Sequence, residues 1–252
     1  MKKKSKFNYL YIVAVVLISI SLLGVFSAFA NKNFNNGFHN NIENVESIDF
    51  STMRYLALGD SITFGENPIT HTQVENGGYP QLLKETLGFK DVINYGVSGM
   101  QTHTMVNRVD NMVYDAQIVS VMGGTNDCYQ NVPVGTFEDT GTSTFYGRIK
   151  LLAVKLTSKY PNAFVFFMTP YQSKSNPCYN GNTNGNTLKD YADAVIEVCN
   201  FYNIPVLDMY NKGQFELEMF NANSDGTHPS AEFFEKYTTP QIAQFIKDNY
   251  KK

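Results

Sequence analysis

The sequence predicts an α/β domain: a parallel β-sheet of five strands packed between two layers of helices, a three-layer α/β/α sandwich. Two observations carry that reading. Five short runs rich in β-branched and aromatic residues recur along the chain, with segments of helical spacing between them. The strand candidates are also near-continuously apolar instead of alternating, the pattern of strands covered on both faces. Strand-helix alternation implies right-handed crossovers, and in such sheets the ligand site lies beyond the carboxyl ends of the strands.

The strands are expected at 54–58, 92–95, 117–122, 163–168 and 204–207, and the helices at 78–87, 104–114, 144–160, 188–202 and 231–250. Gly88 follows the first helix as its C-cap. A chain of 252 residues suffices for one such domain, and no internal repeat argues for a second. Apolar content of 43% and charged content of 17% suit a globular chain.

The N-terminus differs in composition from the rest. Lys2, Lys3, Lys4 and Lys6 precede an apolar run from about Leu10 to Phe26, followed by Ala28-Phe29-Ala30. A basic start, an apolar stretch and A-x-A compose a secretory signal over residues 1–30; left uncleaved, the run would be a signal anchor. Either way the lysines stay on the cytoplasmic side and the domain lies outside, secreted or tethered, with membrane contact only through this segment. Residues 31–50 read as a linker rich in Asn, in which His39 is solvated and idle, and the folded domain is expected over 51–252. Without the leading lysines the remainder carries 16 basic and 23 acidic side chains. No basic block remains to bind nucleic acid.

The loops that leave the strands carry the chemistry. The first strand runs into Gly59-Asp60-Ser61-Ile62-Thr63. A serine there is placed to expose its hydroxyl, yet Asp60 and Ser61 are equally good helix caps. The G-x-S-x-G elbow of the usual α/β hydrolases is absent. Near the far end stands Asp225-Gly226-Thr227-His228-Pro229. A serine nucleophile needs a base, and the base needs an acid to fix its tautomer; an Asp three residues before a His supplies both from one turn. Between them, 94–102 contains Gly99 and 122–127 reads Met-Gly-Gly-Thr-Asn-Asp. Glycine lets a backbone N–H approach a substrate, and the Asn126 amide offers a side-chain donor. Each loop alone is also an ordinary turn.

Together, Gly-Asp-Ser-Ile-Thr at 59–63, Gly99, Gly-Gly-Thr-Asn-Asp at 123–127 and Asp-Gly-Thr-His at 225–228 resemble the four sequence blocks of the SGNH (GDSL) hydrolase superfamily. The resemblance covers 53 to about 245. It implies a flavodoxin-like sheet of order 2-1-3-4-5. It also implies a Ser61–His228–Asp225 triad, with Ser61, Gly99 and Asn126 as oxyanion donors and no cofactor. His71 and His103 lack companions at metal-ligand spacing, so no metal is expected. Asp127 reads as a structural acceptor that holds its loop. The implied strand order sets Cys128 and Cys178 in adjacent loops and favours them as a disulfide over pairs with Cys199.

The expected reaction is hydrolysis of a carboxylic ester through an acyl-serine, with activity falling below about pH 6–7 because the base must be neutral. The loops 129–137 and 171–187, with Tyr129, Tyr171, Tyr179 and many amides, suit a sugar better than a long acyl chain. Acetyl groups on carbohydrate are the first expectation. Lysophospholipids or thioesters come second, acyl transfer is a third course, and a non-catalytic carbohydrate-binding relative is disfavoured by the presence of all three triad residues.

Overall fold

In the computed structural model we describe residues 48–174, 177–213 and 225–251. The signal segment, residues 31–47 with His39, and Asn223 and Ser224 lie outside the described residues.

Five strands form one parallel sheet: β1 (Arg54–Gly59), β2 (Asp91–Gly96), β3 (Ile118–Met122), β4 (Phe164–Met168) and β5 (Val206–Leu207), in the order β2-β1-β3-β4-β5. The strands form because aromatic and β-branched side chains can pack on both faces. On β1, Leu56 and Leu58 point into one hydrophobic cluster and Tyr55 and Ala57 into the other. The same parity divides Val119 and Val121 from Ile118 and Met122 on β3, and Val165 and Phe167 from Phe166 and Met168 on β4.

Each face has its own helices. The first cluster joins the sheet to α3 (Thr102–Arg108), α5 (Phe145–Lys159) and α6 (Leu188–Phe201) through Met105, Phe145, Leu152, Tyr191 and Val195. The second joins it to α2 (Gly78–Leu87) and α9 (Thr239–Asn249) through Tyr79, Leu83, Ile242 and Ile246. This is the three-layer sandwich. Phe50, at the edge of the expected linker, is packed against Phe89 and Tyr250 and so belongs to the second cluster.

Several boundaries differ from expectation, each for a local reason. The helix expected at 104–114 begins at Thr102, because the carboxylate of Asp127 accepts from both the Thr102 N–H and its hydroxyl and thus acts as a cap from another loop. It gives way after Arg108 to a 3-10 turn, Val109–Asn111, where Asp110 and Asn111 are weak helix formers. The expected helix 231–250 is broken into α8 (Ala231–Phe233), a π turn at Phe234–Thr238 and α9. Pro240 has no N–H to give to the preceding turn, and that turn widens. The short helices α1 (Ser61–Phe64), α4 (Thr125–Tyr129) and α7 (Met209–Lys212) are too brief to leave a periodic signal. The strand expected at 204–207 is reduced to its last two residues. Among the described residues no helix is long and apolar enough to cross a membrane.

Sheet register is what assembles the site. Gly59, the last residue of β1, is level with Gly96 on one neighbour and with Met122 on the other. The three chains that leave those strands therefore emerge side by side, at the point where strand order reverses. Gly59 has to be glycine: a Cβ there would stand 2.0 Å from Thr63 Oγ1 and 2.8 Å from the Met122 carbonyl.

Candidate active site

Beyond Gly59 the backbone turns at Asp60, which is extended (φ −93°, ψ −151°), and α1 begins at Ser61. Asp60 is its N-cap: its Oδ1 accepts from the Ile62 N–H at 3.0 Å. Both ordinary and chemical roles thus coexist in this turn. Asp60 caps, and that frees Ser61 to hold its hydroxyl outward from the first turn of the helix.

The Ser61 Oγ lies 2.8 Å from His228 Nε2. On the far side of the ring, His228 Nδ1 is 2.7 Å from Asp225 Oδ2. Since Asp225 accepts a hydrogen bond from Nδ1–H, Nε2 is left as the acceptor for the serine hydroxyl. The other oxygen of Asp225 accepts from the backbone N–H groups of Thr227 at 2.9 Å and His228 at 2.8 Å. Partial burial pushes the Asp225 carboxyl up, but the hydrogen bonds from His228 and Thr227 outweigh it and hold it below the usual carboxylate range. The turn is braced from outside as well. Ser173 Oγ donates to the Gly226 carbonyl at 2.6 Å, and Tyr129 Oη lies 3.2 Å from Thr227 Oγ1.

Gly99 and Asn126 stand beside this chain of contacts. Gly99 has φ +75°, and a Cβ added there would meet nothing within 4 Å, so the loop presents open backbone at the surface. The Asn126 amide nitrogen is 3.3 Å from the Met100 carbonyl and 3.4 Å from Asp60 Oδ2. Asn126 therefore bridges the residue after Gly99 and the residue before Ser61.

Asp127 sits directly behind. It is fully buried, accepts from Thr102 and forms an ion pair with Arg148 Nη1 at 2.7 Å. Arg148 also donates to Gln101 Oε1 at 3.1 Å. This carboxylate thus ties α3, α4 and α5 together. His103 points elsewhere: its Nε2 lies 3.2 Å from the hydroxyl of its neighbour Thr104.

The sequence reading missed Glu66. This residue is buried, five positions beyond Ser61, and its Oε1 lies 3.9 Å from His228 Nε2 and 2.9 Å from His71 Nδ1. Ser98 donates its hydroxyl to Oε2. The signal available was an acidic residue in the loop leaving the nucleophile helix, which by itself reads as a solvated side chain.

The sequence model of the GDSL-like lipase/acylhydrolase family matches residues 57–235. The chain belongs to that family. As a GDSL-like acylhydrolase it is an enzyme that hydrolyses ester bonds. Solved structures agree in fold. A protein from Lactobacillus plantarum is 24% identical over 80% of this chain and 99% of its own, with a TM-score of 0.71. A possible lipase from Chitinophaga pinensis is 24% identical over 78% and 98%, with a TM-score of 0.67. A mutant of an acetyl-xylooligosaccharide esterase from Geobacillus is 17% identical over 81% and 98%, with a TM-score of 0.55. No curated protein sequence matches the chain.

In this GDSL-like hydrolase Asp60 carries an electrostatic cost. Burial pushes its carboxyl up to about 7, a rise only partly offset by the Ile62 N–H and by the nearby His228. A carboxyl whose pKa is raised by folding stabilises the fold below the unfolded value, and that contribution is lost as pH climbs through the folded value. Each unit is worth about 1.4 kcal/mol. Asp60→Asn is therefore expected to gain stability relative to the parent chain by a few kcal/mol as pH rises from about 4 to about 7. Urea melts of both proteins across that range check it; a constant difference would contradict the assignment.

The disulfide expected between Cys128 and Cys178 is not formed: both stand as buried free thiols, as does Cys199, and Cys178 Sγ lies 3.8 Å from the Thr125 carbonyl. The Asn side chains expected to greet a sugar serve the loops instead. Asn182 donates to the Cys128 carbonyl and to Tyr191, while Asn131 and Asn184 bind each other's loop backbones. Tyr179 remains exposed.

Proposed function

We propose that the protein is a serine esterase that removes short acyl groups, acetyl foremost, from carbohydrate. The observation that carries the mechanism is the unbroken line Asp225–His228–Ser61 at 2.7 and 2.8 Å. His228 takes the Ser61 proton as Oγ attacks the ester carbonyl, and Asp225 supports the imidazolium that forms. The oxyanion is held by the N–H groups of Ser61 and Gly99 and by the Asn126 amide, the type of donor whose removal costs about 3–4 kcal/mol. His228 returns the proton to the leaving alkoxide. Water then attacks the acyl carbonyl as it gives its proton to His228, and His228 returns that proton to Ser61 Oγ as the bond to the acid breaks.

Support for a small polar ester comes from the surroundings of Ser61. Glu66, Ser98 and His71 lie on the His228 side, and Asp60 and Asn126 on the other. Polar groups this close suit an alcohol that bears hydroxyls. The acetyl-xylooligosaccharide esterase of the same fold is in keeping with that choice. The leading lysines, apolar run and Ala28-Phe29-Ala30 support an extracytoplasmic location, secreted or anchored.

The test is a comparison of acyl chain lengths. We expect kcat/KM for p-nitrophenyl acetate to exceed that for the palmitate ester by about tenfold or more, and acetylated xylo-oligosaccharides to release acetate. Preference for the long chain would overturn the substrate reading while leaving the serine mechanism standing.

A further inference from the structure

We propose that Glu66 and His71 form a second carboxylate–imidazole pair that binds a hydroxyl of the leaving alcohol, next to the ester oxygen, and so selects esters of polyols and sugars. The proposal rests on the assignment of Ser61 and His228 as nucleophile and base.

The first argument is position. His228 Nε2 takes the serine proton and must hand it to the leaving oxygen, so the alcohol departs from beside that nitrogen. Glu66 Oε1 is 3.9 Å from Nε2, too far to hydrogen-bond the imidazole but close enough to reach a hydroxyl on the carbon next to the leaving oxygen. A carboxylate offers about four acceptor sites. Ser98 takes one on Oε2 and His71 Nδ1 one on Oε1. Oε1 keeps further acceptor capacity 3.9 Å from His228 Nε2.

The second argument is the way the loop is built. His71 is a non-glycine residue with φ +55°, in the left-handed region that side chains disfavour. Such backbone persists where neighbouring structure enforces it, and it gathers at ligand sites. Here the enforcement is dense. The Asn67 N–H donates to the Thr72 carbonyl at 2.7 Å, and the His71 N–H donates to the Asn67 carbonyl at 3.0 Å. The Asn67 side chain accepts from Ile69 and Thr70, and a bridge between Glu66 and Gln73 closes the loop. The result folds His71 back over Glu66, with its ring centroid 6.5 Å from that of His228 and nearly perpendicular to it.

The third argument is exposure. The Glu66 side chain is 9% exposed and is fixed by its partners, whereas His71 is 65% exposed. The hydrogen bond to Glu66, not apolar packing, turns this largely exposed imidazole inward. A fixed acceptor beneath and an accessible ring above suit a hydroxyl-bearing carbon. The rival role, electrostatic support for the His228 imidazolium by Glu66, would favour every ester alike.

The two roles separate on a pair of substrates. Glycerol monoacetate carries a hydroxyl beside the ester, and n-propyl acetate is its counterpart without one. With the full chain, the ratio of their kcat/KM values should favour the glycerol ester. It should fall roughly tenfold in His71→Asn and in Glu66→Gln, chiefly through KM, the effect of losing one charge-assisted hydrogen bond. Asparagine tolerates the left-handed backbone, so His71→Asn decides the matter even where Glu66→Gln fails to fold. An unchanged ratio, with both esters slowed together, would overturn the proposal. So would a parent enzyme indifferent to the hydroxyl. Separately, a parent enzyme that cleaves glycerol monoacetate with the expected ratio but leaves an acetylated xyloside intact would overturn the carbohydrate reading alone.

Discussion

Ser61→Ala is expected to lower kcat for p-nitrophenyl acetate by about five to six orders of magnitude, the loss seen when a serine nucleophile is removed and only the remaining site acts. The fold should scarcely notice. The variant gives up a single hydrogen bond, from Oγ to His228 Nε2, worth on the order of 1 kcal/mol. Because nucleophile and base act as a unit, Ser61→Ala combined with His228→Ala should be no slower than either alone. Steady-state rates and thermal melts of the three variants check this. Retention of more than about a hundredth of the parent rate by well-folded Ser61→Ala would exclude Ser61 as the nucleophile.

The largest expected effect on stability lies one layer behind the site. Arg148→Met removes the charge partner of Asp127, whose carboxylate is fully buried. Breaking a buried pair from one side typically costs about 3–5 kcal/mol, because the other charge is stranded. Here the strain falls on the N-terminus of α3 and on α4, which carries Asn126. The urea midpoint should drop, and kcat should drop with it. Adding Asp127→Asn to Arg148→Met neutralises the stranded group and should recover much of the stability, since Asn can still accept from Thr102. If the double variant is as unstable as the sum of the two single changes, the ion pair is not the source of the effect.

The layered sheet was legible in the sequence because its three central strands are covered on both faces. Tyr55–Leu58, and Ile118–Met122 with Ser120 as its single polar residue, leave a nearly continuous apolar trace in place of the alternation of a half-exposed strand. The contacts of Ser61, His228 and Asp225 were legible for a different reason: each turn alone is ordinary, but the four blocks occur together and in the order of one hydrolase superfamily. What was not legible depends on partners distant in sequence. Thr102 begins a helix because Asp127 caps it from 25 residues away. Glu66 is indistinguishable from a surface acid until the strand order sets Ser98 and His228 beside it. Asn182 and Asn131 look like sugar-binding amides until the loops they fasten are seen. The widened turn before Pro240 follows from a missing N–H, but where the helix would absorb it depended on packing around Phe234.

The loop closed by Glu66 and Gln73 divides the molecule's freedom to change. The groups around Ser61 stand on strand ends whose register fixes them, so a shift in any one disturbs three. The segment from Asn67 to Thr72 hangs from its own bridge and touches no register. Mutations there can accumulate, lengthen or exchange the loop at little risk to the fold. Under the proposed role of Glu66 and His71, exchanging this loop is expected to change which alcohol is accepted and to leave the acyl chemistry as it is.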